Sequence, residues 1–290
     1  MSVLQYYAAV QKFAKQGQIH ACLDAVEDAV RRFPRFQVEF LALAYDVCRS
    51  VQNGGRFLYQ SRLFDFALGP NDNVLDMGSG HIPFPMATVL ADIALSDSSV
   101  GRAGVPFKHV DGKPIYECSV EATPFADKEF DFVYCSHVLE HVDNPEAACR
   151  ELMRIGKRGY IETPTRTKDL IFGTAKTSNH RWAVSQENDV LVFTEYTPSD
   201  LEGIGTNLLL DMNCAPRNKR EKALAALEYV KPHQLNTMFM WEDSFKFCVR
   251  TMTKACPSRV VHAAEERPLT LRAWFSAVLR LGGKALRPTR

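Results

Sequence analysis

One stretch limits what this chain can fold into more than any other. Asn73-Val74-Leu75-Asp76-Met77-Gly78-Ser79-Gly80-His81 runs from apolar residues into an acid and then turns on two glycines. Val74 and Leu75 predict a short buried strand. Gly78 and Gly80 permit a sharp turn and let a ligand approach the backbone amides. Asp76 stands where a strand end presents a carboxylate. A strand followed by such a turn belongs in an α/β sheet with a ligand over its strand ends.

Composition sets the frame for that sheet. The chain has 290 residues, 46% hydrophobic and 24% charged, which suits one large globular domain with appendages. A net charge of +1 gives no basic surface for nucleic acid. The eight cysteines form no C-x-x-C pair, and several sit in apolar runs, as in Val133-Tyr134-Cys135. They read as buried free thiols of a reducing compartment. No run approaches the ~18 apolar residues of a membrane span. Met1 to Tyr7 lacks the features of a signal peptide. The expected location is cytoplasmic.

Along the chain, residues 1–55 read as a helical extension. Tyr6, Val10 and Phe13 recur at helical spacing, as do Leu23, Val26 and Val30, and then Phe40, Ala44 and Val47. Arg56 to Leu68 predicts a further helix. Strand candidates follow at Asn73–Asp76, Ala87–Asp92, Ile115–Ser119, Phe130–Cys135 and Tyr160–Thr163. Pro145–Ile155 predicts a helix capped by Asp143 or Asn144. Strands alternating with helices predict a mostly parallel sheet. Beyond Pro164, Trp182–Ser185 and Val190–Phe193 predict a hairpin. Lys219–Val230 predicts one helix, and Thr237–Trp241 with Phe245–Val249 a second hairpin.

Two further segments carry the chemistry. They are Pro124-Phe125-Ala126-Asp127-Lys128-Glu129-Phe130-Asp131 and Ser136-His137-Val138-Leu139-Glu140-His141-Val142. With the glycine turn and Asp92 they make an ordered set. From about Asn73 to Pro164 the chain resembles the class I S-adenosylmethionine-dependent methyltransferases, in the branch carrying PF-x-D-x-x-FD and then S-x-V-L-E-H-V. The resemblance implies a Rossmann-like, mostly parallel seven-stranded sheet with helices on both faces. It implies S-adenosylmethionine as the cofactor. Asp76, Gly78, Ser79, Gly80, Cys135 and Ser136 would then cradle the methionine side. Asp92 would take the ribose hydroxyls, with Asp97 as the alternative, and Ser119 and Val120 would meet the adenine. The chain departs from the family at Ile82, where a third glycine is usual, and at Ser119, where an acid is usual.

His137-Val138-Leu139-Glu140-His141 also has the spacing of an inverted zinc-protease signature. A strand runs straight into it and a fresh helix starts at Pro145, so no metal is assigned there. Ubiquinone-pathway O-methyltransferases resemble this segment and hold a divalent ion at the matching positions, which leaves an ion near Glu140 open. His137 and His141 are the candidate catalytic residues, as proton acceptors for an acceptor hydroxyl. His180, Arg181 and Trp182 are candidate acceptor contacts.

The expected division is 1–55 helical extension, 56–255 methyltransferase domain with acceptor-side insertions at 165–235, and 256–290 a basic amphipathic tail. Such a tail suits docking to an anionic membrane or a protein partner. The expected function is methyl transfer to oxygen of a small-molecule or glycan-type acceptor. The rival from another class is a non-catalytic interaction protein that keeps the fold.

Overall fold

The computed structural model describes residues 1–51, 55–99, 102, 104–174, 179–201 and 208–251. Its main sheet is built from β1 (Val74–Met77), β2 (Val89–Asp92), β3 (Ile115–Glu117), β4 (Phe132–Ser136), β5 (Arg158–Pro164) and β8 (Asn236–Glu242). The order is β3-β2-β1-β4-β5-β8. All neighbours are parallel except β5 and β8. The chain turns from one half of the sheet to the other between β1 and β4, the place where ligands of open α/β sheets sit.

Among the described residues this sheet has six strands, where the resemblance implied seven. β9 (Lys246–Arg250) does not fold back on β8. It pairs in parallel with β7 (Val190–Glu195), which also pairs with β6 (Trp182–Glu187) in a separate three-stranded sheet. The expected β8–β9 hairpin is therefore corrected. Asp243 adopts a left-handed backbone (φ 60°). The strand after it turns into the core, where Phe245 and Phe247 are buried with Phe239 and Trp241. The β6–β7 hairpin forms as expected, turning at Asn188 (φ 57°).

Alternation of side chains assigns each strand residue to a face. Leu75, Met77, Val133, Cys135 and Ile161 face α5 (Pro145–Ile155) and the second sheet. Val74, Phe132, Tyr134 and Tyr160 face a layer of aromatics that includes Phe66, Phe84 and Phe107. Phe84 stacks on Tyr134 with ring centroids 4.3 Å apart. Among the described residues no helix joins β1 to β2, and these aromatic loops cover that face instead. Helix α5 forms where expected, because the Asn144 side chain accepts from Ala147 N and Pro145 opens the first turn.

Helices α1 (Val3–Lys15), α2 (Ile19–Arg32) and α3 (Gln37–Ser50) form near their expected positions. Their buried faces share one core with Ala223, Ala226 and Val230. Those residues come from a region expected to be one helix, which is split into Lys219–Ala225 and Leu227–Val230. Helix α4 (Gly55–Leu63) ends before the expected Leu68, and Ala67 beyond it is left-handed (φ 48°). Among the described residues no helix is long and apolar enough to cross a membrane. The basic tail lies outside the described residues.

Candidate active site

The carboxyl ends of β1, β2, β3 and β4 open onto one cavity of about 620 Å³. Among the residues singled out from sequence, Gly78, Ser79, Gly80, Asp92, Ser119, Val120, Ser136, His137, His141 and Arg181 line it. Gly78 and Gly80 both have positive φ (+78° and +54°). A β-carbon on residue 78 would lie 2.2 Å from Val138 Cγ2. Glycine there sets the spacing between the first strand's turn and the segment after β4.

The amides of this turn are already engaged. Gly78 N and Ser79 N donate to Ala91 O at 2.7 and 3.0 Å, and Gly80 N donates to Asp92 Oδ2 at 2.9 Å. The turn therefore offers space rather than free amides. Ser79 Oγ is buried and has no hydrogen-bond partner. Buried polar atoms are seldom left so, which fits a ligand resting on the turn.

Asp92 ends β2 and is almost fully buried. Its Oδ1 accepts from Arg102 Nη1 at 3.1 Å, and both side chains are out of water. Asp97 is exposed and its carboxylate caps a turn at Ser99. Of the two candidates, only Asp92 reaches the cavity. Ser119 Oγ accepts from Glu121 N at 3.1 Å, and Val120 is buried beside it.

Two expected contacts are placed elsewhere. Asp76 and Cys135 do not line the cavity, because alternation sends them to opposite faces of the sheet. Asp76 points to the aromatic face, where its Oδ2 accepts from Phe84 N at 2.7 Å. Burial pushes its carboxyl up to about 7, against the nearby Arg56 guanidinium. Asp76 thus holds the 81–85 loop. Cys135 packs against α5, and burial raises its thiol well above the ordinary range.

His137 has a left-handed backbone (φ 59°), uncommon for a side chain of its size. Its amide donates to Glu162 O at 2.7 Å. Its ring is bracketed by carboxylates, with Glu140 Oε1 3.3 Å from Nδ1 and Glu162 Oε1 3.4 Å from Nε2. Burial works against protonation, but the two carboxylates win and hold its pKa above the usual value. Glu162 itself is buried, yet His137, Tyr160 and Tyr59 keep its carboxyl down at about 2. Gln60 Nε2 also donates to it at 2.8 Å. For His141 burial prevails and lowers the pKa.

The trio His180, Arg181 and Trp182 is divided. Arg181 lines the cavity and pairs with Asp143. Trp182 is buried in the core, and its indole donates to Val142 O at 2.7 Å. His180 is buried with Nδ1 2.9 Å from Asp169 Oδ1. Sequence reasoning did not single out Arg56, Arg102 or Asn179, which also line the cavity. None belongs to a spaced pattern, so no local signal marks them.

The family model described as a methyltransferase domain matches residues 75–161, from the first strand to the fifth. Over those residues the chain is similar to methyltransferase domains. A ubiquinone/menaquinone biosynthesis C-methyltransferase of Xanthomonas oryzae pv. oryzae is 38% identical over 132 residues, 41% of this chain and 52% of that protein. A demethylmenaquinone methyltransferase of Renibacterium salmoninarum is 32% identical over 123 residues, again 41% and 52%. The chain spans about half the length of these curated relatives. A solved SAM-dependent methyltransferase from Thermotoga maritima aligns at 16% identity over 61% of this chain and 76% of that one, with a TM-score of 0.33.

Proposed function

We propose that this protein transfers the methyl group of S-adenosylmethionine to a hydroxyl-bearing small molecule. The observation that carries the reading is the cavity over β1–β4, with Asp92, Gly78 and Gly80 in its lining. In this reading Asp92 exchanges Arg102 for the two ribose hydroxyls, a bidentate task suited to a carboxylate. Val120 and Ser119 flank the adenine. Arg56 meets the carboxylate of the methionine part. Asp76 acts through the loop it holds, rather than by touching the cofactor.

A sulfonium is already activated, so the protein has to align the acceptor in line with the methyl group and keep water out. An acceptor hydroxyl must also lose its proton. The His141 ring, whose burial favours the neutral form, supplies a lone pair for that step, whereas Glu140 and Glu162 favour the protonated form of His137. The curated relatives bear names of quinone methylation, which supports an aromatic acceptor over a glycan. Transfer to oxygen is our reading for this chain, and transfer to a ring carbon beside a phenolate is the second reading those names favour. We assign the transfer to residues 56–255, with 1–55 as a helical cap and 256–290 as a docking tail.

The test is a transfer assay with methyl-labelled cofactor and a panel of phenols, quinols and sugars. Label appearing on a phenol or quinol oxygen is expected. Cofactor binding without transfer to any of them would favour the non-catalytic alternative.

A further inference from the structure

A buried carboxylate lies beside the cavity, next to the His137 ring but with no well-formed hydrogen bond at either oxygen. Glu140 is fully buried, and neither Oε1 nor Oε2 has a hydrogen-bond partner. The nearest base, His137 Nδ1, stands 3.3 Å from Oε1 but off the line that a hydrogen bond needs. His137 offsets part of its charge, but a buried carboxylate whose oxygens lack hydrogen bonds still has capacity for a ligand.

Two histidines complete the surroundings. Ligand atoms of Glu140, His141 and His180 all lie within 4.8 Å of one another. His141 Nε2 is 4.0 Å from Glu140 Oε1. The His141 and His180 rings meet edge to face with centroids 4.7 Å apart. Arg181 N and Trp182 N donate to Glu140 O at 2.8 and 3.1 Å, which straps the 180–182 segment against Glu140.

Each imidazole has a polar neighbour. His180 Nδ1 is 2.9 Å from Asp169 Oδ1, and Asp169 is itself buried and accepts from Thr174 Oγ1 and Tyr196 OH. That pairing engages Nδ1 and leaves Nε2 as the ring nitrogen not held by Asp169. The His141 ring lies beside the backbone of Asn179. A carboxylate or backbone carbonyl behind a histidine is the usual support of a metal ligand.

We propose that Glu140, His141 and His180 bind one first-row transition cation of the zinc class. Two imidazoles and a carboxylate suit such ions, whereas magnesium and calcium prefer oxygen alone. This set differs from an ion on the His137-to-His141 motif: His137 is engaged by Glu162, and His180 comes from a distant segment. Tetrahedral ligation needs ligand atoms roughly 3.3 Å apart, so the three draw in by about 1 Å on binding. His141 lines the cavity, so a fourth position is left there for water or an acceptor oxygen. On the methyl-transfer reading, a cation there would take the His141 lone pair in place of the proton, and an acceptor hydroxyl on its open position would release its proton to bulk water as it is methylated.

The test is calorimetric titration of chelator-treated, tag-free protein with Zn²⁺, and visible absorption with Co²⁺. One equivalent of zinc and a low-symmetry cobalt spectrum are expected. His180→Ala and Glu140→Gln should each weaken zinc at least about 100-fold, and Asp169→Asn about 10- to 100-fold. His109→Ala, away from the site, should change nothing. S-adenosylmethionine titrations on the same samples report folding and the cofactor reading separately. Absence of stoichiometric zinc binding by the wild type, or equal binding by a cofactor-competent His180→Ala variant, would overturn the proposal.

Discussion

At the residue scale, two acids on neighbouring strands do different work. Asp92 is at the cavity and Asp76 is behind it, so their variants separate. Asp92→Ala should weaken S-adenosylmethionine by about tenfold or more, while Asp97→Ala should change it by less than about twofold, as read by calorimetry. Asp76 gives a pH prediction. Its folded pKa of about 7 lies above the ordinary carboxyl value near 3.8. Between those values the folded state holds a proton that the unfolded chain has lost. The contribution of Asp76 to stability is therefore present below about pH 4 and is lost as pH rises towards 7. Asp76→Asn keeps an acceptor for Phe84 N and never charges. It should flatten that decline in thermal unfolding between pH 4.5 and 8, about a few kcal/mol at most. A parallel decline in wild type and variant would contradict the assignment. Asp76 also shows what a strand pattern hides. The sequence put this acid at a strand end, but only the pleat decides which face its carboxylate takes.

At the scale of elements, close approach of backbone to backbone fixes the sheet. A β-carbon at Gly159 on β5 would lie 2.4 Å from the carbonyl oxygen of Val133 on β4 and 2.7 Å from Trp241 on β8. Backbone cannot yield as a side-chain tip can, so Gly159→Ala should cost about 3 kcal/mol in denaturant unfolding. Gly78→Ala meets only the tip of Val138 but also a left-handed backbone. It should cost less stability and more cofactor affinity. Periodic elements were legible from sequence: α5 with its Asn144 cap, the β6–β7 hairpin and the parallel strands. The partner of β9 was not. Phe245 to Val249 was expected as a hairpin return, and its pairing with β7 rests on tertiary packing that buries Phe245 and Phe247. His180 was legible as a candidate contact, but its pairing with Asp169 and its approach to Glu140 depend on tertiary folding.

At the scale of the whole molecule, the amino-terminal helices are built into the fold. Their core includes Ala223, Ala226 and Val230, contributed after β7. Arg62 of α4 also reaches Asp24 and Glu27 of α2. Removal of residues 1–50 should therefore lower the melting temperature and promote aggregation; an unchanged melting transition would make them a separable appendage. The ordered motifs from Asn73 to Pro164 made the central sheet readable, because each motif sits at a strand end. The surroundings were not readable, since Arg56, Arg102 and Asn179 reach the cavity by tertiary packing alone. Everything rests on what occupies the space above Gly78 and Gly80. The most direct test is calorimetric titration of the wild-type protein with S-adenosylmethionine, beside an NAD⁺ titration. One equivalent of S-adenosylmethionine bound, with no heat from NAD⁺, is the predicted result. No binding of S-adenosylmethionine far above its ordinary cellular levels, or preferential binding of NAD⁺, would contradict the account.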